Sequence, residues 1–171
     1  MDISGRSARQ LLELHAKIEK ELGERKILRN ANNPVGDLAE FLFRTAFPDW
    51  KLEHSSKAHY DAKGETDGKL YQIKCRRIIG NSSQNSSRQL SAIRGLEQAH
   101  SHFLAGLLLK EDYSIYKAAL IPHSVLLSLF EARKHISFQK HTNSHRFMLV
   151  DEIWEVSGVQ DVTAQLQSVW D

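Results

Sequence analysis

The run Phe103-Leu-Ala-Gly-Leu-Leu-Leu109 constrains this chain more than any other stretch. Uninterrupted apolar residues without polar alternation do not suit a sheet with one wet face. They read as a strand buried on both faces. A bilayer span needs about 20 such residues, so the run is too short to cross a membrane. A doubly buried strand needs a covering layer above and below, and 171 residues are enough for one domain that builds them.

The remaining elements follow in order. Ser7 to about Gly23 reads as an amphipathic helix, with Leu11, Leu14, Ile18 and Leu22 on a stripe that packs on the domain or on a second copy. The turn-rich Asn30-Ala-Asn-Asn-Pro34 precedes a helix from Gly36 and Asp37 to Phe47-Pro48, built on Leu38, Ala39, Leu42, Phe43 and Ala46. Lys51–His54 and Ala58–Ala62 read as short strands, 64–68 as a turn, and Leu70–Ile78 as a third strand. A polar loop at 80–87 leads to a helix from Arg88 to about Ala99, with Leu90, Ile93 and Leu96 inward. After the buried strand come a β-prone stretch (Tyr113–Ile121), a helix opened by Pro122, a short strand (Arg146–Val150) and an acidic helix (Val159–Val169). His135, His141 and His145 share a polar segment without a nearby Cys, so no zinc site is expected there. The order predicts an α/β fold: a mixed central sheet with helices on both faces.

The chemistry centres on the third strand. With period two, Leu70, Gln72, Lys74 and Arg76 share one face, and Tyr71, Ile73 and Cys75 the other. The second set suits a core. The first sets a carboxamide, an ammonium and a guanidinium in a row. Asp61, on the preceding strand, can reach the same face, and Glu40 is an acid set among the apolar residues of the second helix. Hydrolysing a phosphodiester requires a hard cation held by oxygens and a positive group near the phosphate. Asp61 supplies the main ligand in this reading. Gln72 and the backbone carbonyl of Ile73 supply further oxygens, Lys74 contacts the phosphate or the water, and Glu40 adds a second carboxylate. A turn residue at Asp61 beside a solvated strand face is the plain alternative.

These residues carry a resemblance. Glu40 on a helix, then Asp61 in a β-meander, then Gln72-Ile73-Lys74 resembles the PD-(D/E)xK nuclease superfamily in its Gln-x-Lys variant. Asn32-Asn-Pro-Val-Gly-Asp-Leu-Ala-Glu40 further looks like an uncharacterised bacterial family placed near it. The resemblance implies a restriction-endonuclease-like core, α-β-β-β-α-β, over about 35–109. It leaves the N-terminal helix (about 7–23) and a C-terminal elaboration (about 113–171) as additions to a single domain spanning 1–171. It also implies Mg²⁺ or Mn²⁺ as cofactor, with Glu40, Asp61, Gln72 and Lys74 catalytic, and double-stranded DNA as the favoured substrate. The sequence departs from the usual pattern at Gln72, a neutral residue where most members carry an acid, which should weaken the hold on a metal.

Charge distribution agrees with a polyanionic partner. From Lys69 to Arg94 there are six basic residues and no acidic one, whereas Asp151 to Asp171 holds five acidic residues and no Lys or Arg. Arg76, Arg77, Arg88 and Arg94, with Ser82, Ser83, Asn85, Ser86, Ser87 and Gln89, are the candidate phosphate and sugar contacts. A solvated basic face would show the same run. Three readings stand: an endonuclease of a restriction, defence or repair system, a binding module with a degenerate site, or a partner subunit of a larger complex. A two-fold homodimer suits the first, since cutting both strands with one site per chain favours it. A lone cysteine, Cys75, and an N-terminus without an apolar leader favour a cytoplasmic protein without membrane attachment.

Overall fold

The computed structural model describes residues 2–29, 34–53, 60–79 and 87–170. In chain order the elements are helices α1 (Ala8–Glu24) and α2 (Pro34–Ala46), and strands β1 (Trp50–Leu52), β2 (Ala62–Gly64), β3 (Leu70–Arg77), β4 (Phe103–Leu109) and β5 (Ile115–Pro122). Helix α3 (His123–Glu131), strands β6 (Ile136–Gln139), β7 (Ser144–Phe147) and β8 (Gln160–Asp161), and helix α4 (Thr163–Gln167) complete it. Among the described residues β1-β2-β3-β4-β5-β8 form one sheet, and β6-β7 a separate hairpin. Strand β4 pairs with β3 in parallel and with β5 antiparallel, so the sheet is mixed. The chain is α/β.

Strand β4 is buried along almost its whole length, as its apolar run demands. Leu107 and Leu109 join Tyr71, Ile73, Ala118 and Leu120 under α2 and α4. Leu104 and Leu108 join Ala119 and Ile121 under α3, residues 90–96 and Phe147. Each such leucine withdrawn from water contributes about 2 kcal/mol. Helices therefore cover both faces, in agreement with the sequence. Strand β3 keeps the expected alternation, with Tyr71 and Ile73 buried and Gln72 and Lys74 half-buried.

Four expectations are corrected. Residues 88–99 form no helix. The backbone N–H groups of Leu90 and Ile93 donate to Phe147 and His145, and Gly95 and Ala99 take positive φ. Strand β7 thus captures the segment edge-on, and among the described residues no helix lies between β3 and β4. Leu90, Ile93 and Leu96 still point inward. The polar histidine segment contains the β6–β7 hairpin, so the strand expected at 146–150 begins at Ser144 and ends at Phe147. His145 is buried against Phe130 and Phe138 with both ring nitrogens unpartnered. The acidic helix at 159–169 is cut to Thr163–Gln167, because Gln160 and Asp161 pair with β5 first. The second strand runs 62–64, not 58–62, and residues 58 and 59 lie outside the described residues.

Helix α1 starts where the sequence places it, with Ser7 and Gln10 capping each other reciprocally. None of its residues is buried, however, and Leu11 and Ile18 are exposed. Its stripe therefore does not enter the core. No helix of the described residues is long and apolar enough to cross a membrane.

Candidate active site

The site depends on where β2 stops. At the turn before β3, Asp49 accepts hydrogen bonds from the backbone N–H and hydroxyl of Thr66, and Asp67 accepts one from the N–H of Lys69. Gly68 takes a positive φ of 68°, and a Cβ on Gly64 would collide with the Asp67 carboxylate. This turn fixes the register Ala62↔Tyr71 and Lys63↔Leu70. A slip of one residue would send every β3 side chain to the opposite face.

After that short pairing, no other described residue forms a ladder with the outer edge of β3. The N–H of Asp61 donates to the Tyr71 carbonyl, and the N–H of Ile73 donates to Asp61 Oδ2 at 2.7 Å. The carboxylate thus takes the place that a further β2 residue would occupy. In an extended strand the N–H and C=O of one residue point to the same edge. The Ile73 carbonyl therefore faces Asp61 too.

Lys74 approaches from the opposite face to Tyr71 and Ile73, with Nζ 3.9 Å from Asp61 Oδ2 and its side chain only 18% exposed. Glu40 comes from α2, which packs over the Tyr71–Ile73 face. Glu40, Asp61, Ile73, Lys74, Arg76, Arg77 and Ser87 line one cavity of about 600 Å³. Gln72 does not line it. Together with Asp61, Lys74, Arg94 and Asn143 it lines an adjoining groove of about 790 Å³. The structure thus brings Glu40, Asp61, Ile73 and Lys74 together, and sets Gln72 on the far side of the Asp61–Lys74 pair.

The electrostatics follow from this placement. Burial pushes the Glu40 carboxyl above its ordinary range, Arg29 pulls it down, and the charges of Asp61 and Asp37 push it up again. Burial likewise drives the Cys75 thiol far above its usual value, so the cavity's one sulfur stays protonated and is a poor metal ligand. The oxygens at hand are two carboxylates and a backbone carbonyl. Hard donors of this kind suit Mg²⁺ or Mn²⁺ rather than a soft metal. Among the described residues no group of three or more His, Cys, Asp or Glu could by itself hold an ion.

The basic residues divide. Arg76 and Arg77 flank the cavity, Arg76 donating to the Ser87 carbonyl and Arg77 lying over the Tyr113 ring. Arg94 sits in the adjoining groove. Arg88 turns away: it binds Asp151 at 2.6 Å and lies over the Tyr116 ring. The N–H of Gln89 bonds the Ser87 hydroxyl, and Gln89 bridges to Met148. Ser82, Ser83, Asn85 and Ser86 lie outside the described residues.

One residue at the site escaped the sequence reading. Arg29 lies ahead of α2, and its Nη2 stands 2.6 Å from Glu40 Oε2. Its only sequence signal was indirect. Asp37 and Glu40 are spaced for one helix face, and two acids so placed call for a cation. Compared with known proteins, the chain matches no protein-family model and no curated sequence.

Proposed function

We propose that this chain hydrolyses phosphodiester bonds in DNA with the help of a divalent cation. The carrying observation is the convergence of Asp61, Glu40 and Lys74 on one cavity beside β3. Asp61 and Glu40, with the Ile73 carbonyl, would hold Mg²⁺ or Mn²⁺. Bound there, such an ion lowers the pKa of a water and neutralises charge on the phosphate. Lys74 adds a fixed positive charge where the phosphorane develops negative charge. Its ammonium, drawn towards Asp61 and largely shielded from solvent, needs little rearrangement to meet a phosphate oxygen. Arg76 and Arg77 continue the positive rim and would grip neighbouring phosphates without reading sequence.

This reading carries with it a PD-(D/E)xK nuclease with a restriction-endonuclease-like core whose crossover is irregular. It also carries a cytoplasmic endonuclease of restriction, defence or repair, acting on double-stranded DNA as a dimer. A plasmid-nicking assay with Mg²⁺ or Mn²⁺ tests it. Cutting by wild type that is lost in Asp61→Ala and Lys74→Ala supports the reading, and intact plasmid with every protein and both metals refutes it.

The placement of Gln72 favours one second reading. With a neutral amide outside the cavity in place of an inward acid, the site holds less negative charge for a cation. A nucleic-acid-binding module that does not cut would show salt-sensitive DNA binding and no nicking.

A further inference from the structure

Glu40 is held from behind. Its Oε2 is closed to solvent and lies 2.6 Å from Arg29 Nη2, a close ion contact without an aligned hydrogen bond. Arg29 is in turn fixed by Asp37, which is only 4% exposed. The Arg29 backbone N–H donates to Asp37 Oδ2 at 2.7 Å, and Nε and Nη2 both reach Asp37 Oδ1 at 3.3 Å. Asp37 lies in the first turn of α2, where the helix dipole favours a carboxylate, and Pro34 opens that helix. The anchor is therefore rigid and the guanidinium spans two acids on one helix. Arg29 does not line the cavity, whereas Glu40 does. With Oε2 taken up behind, Oε1 is the oxygen left for the cavity.

We propose that the Asp37–Arg29 pair positions Glu40 as a monodentate oxygen ligand, a role that rests on the metal-dependent reading above. Arg29 acts through Glu40 and does not touch the substrate. It blocks the carboxylate from folding back or binding the cation with both oxygens, and it offsets the repulsion between Glu40 and Asp61. Lysine could supply the charge of Arg29 but not the planar fork that spans both acids.

Mn²⁺ binding to the full-length chain, followed by the EPR signal of free Mn²⁺, tests this without any turnover. Partners that orient metal-binding carboxylates are worth about 10–100-fold in affinity. Arg29→Gln is expected to weaken Mn²⁺ binding within that range while near-UV circular dichroism stays native, and Arg29→Lys to recover part of the loss. In a Glu40→Gln background, Arg29→Gln should have no further effect. Wild-type affinity in Arg29→Gln, or the same loss in the Glu40→Gln background, overturns the proposal. Should Arg29→Gln fail to fold, Arg29→Lys carries the test, and wild-type affinity there overturns it too. If wild type binds no Mn²⁺, the metal-dependent reading falls and this inference with it. Tight wild-type binding unaffected by Arg29 sinks this inference alone.

Discussion

Two acid–cation clusters sit on the same sheet and are built in opposite ways. At Asp151, Arg88 Nη1 lies at 2.6 Å and Lys117 Nζ at 2.9 Å, and the Tyr116 hydroxyl donates to both oxygens at 3.3 and 3.4 Å. Its carboxyl is pulled down to about 2, first by Arg88 and then by Lys117. At Asp61 the cation stands off at 3.9 Å, and the neighbouring acid, Glu40, is pushed up by burial. One cluster is closed, with its cations already in contact with its acid. The other sets two acids on one cavity, Glu40 backed by Arg29 at 2.6 Å, and keeps its lysine short of contact with Asp61. A carboxyl pushed up by burial beside a second acid in a cavity is the usual mark of a candidate functional site.

Substitutions at the two clusters should therefore divide cleanly between rate and stability. The largest effect belongs to Lys74→Ala, which should lower single-turnover plasmid nicking about 10²–10³-fold, the usual scale for a group that stabilises transition-state charge. Its thermal midpoint should stay within about a degree of wild type, because a half-buried lysine 3.9 Å from its acid braces little. Next comes Gln72→Glu. An added carboxylate beside Lys74 should tighten Mn²⁺ binding by up to about tenfold, since ligand charge sets affinity for hard cations. Unchanged binding by isothermal titration would place Gln72 outside the metal's reach altogether. Asp151→Asn should cost about 1 kcal/mol in urea unfolding, the upper scale for a partly exposed pair, and leave nicking unchanged. Loss of nicking without loss of stability would blur the two clusters.

The smallest effect lies in pH, where the clusters should slope in opposite directions. Asp151 has a folded value of about 2 against an unfolded 3.8. Its contribution is complete above pH 3.8 and disappears as pH falls towards 2. Glu40 is raised above 4.5, so its ionised form costs the fold stability at neutral pH. That cost is relieved as pH falls through the raised value, and the gain levels off below 4.5. Urea midpoints measured against pH should show wild type losing ground to Asp151→Asn between pH 4 and 2. The same series should show wild type gaining on Glu40→Gln on the way down to 4.5. Parallel curves would remove the electrostatic distinction.

Much of this was legible from local pattern. The run at 103–109 forced a covered strand, and strict alternation in β3 placed Lys74 and Ile73 on opposite faces. Glu40 stood out as an acid in an apolar stripe. What stayed hidden depends on partners far along the chain. Leu90, Ile93 and Leu96 are spaced for a helix, yet the backbone of the segment is claimed by residues some 50 positions later. Arg29 precedes its helix in no periodic pattern and acquires meaning only when the fold sets it behind Glu40. Ser144 and His145 look like loop residues, but both are buried in β7. The alternation of Ile136 and Phe138 was the available hint of that hairpin.

The aromatic packing beneath the site has a practical consequence. Phe47 and Phe43 stack on Trp50 at 4.8 and 5.7 Å, Trp50 on Tyr71 at 3.8 Å, and Tyr71 on Phe103 at 5.5 Å. This column joins α2 to β1, β3 and β4, the elements that carry Glu40 and Lys74. The molecule therefore contains its own optical gauge. The stacked Trp50–Tyr71 pair is expected to contribute to the near-ultraviolet dichroism, and loss of that contribution in Trp50→Phe would give a readout of helix and sheet alignment before any substrate is added.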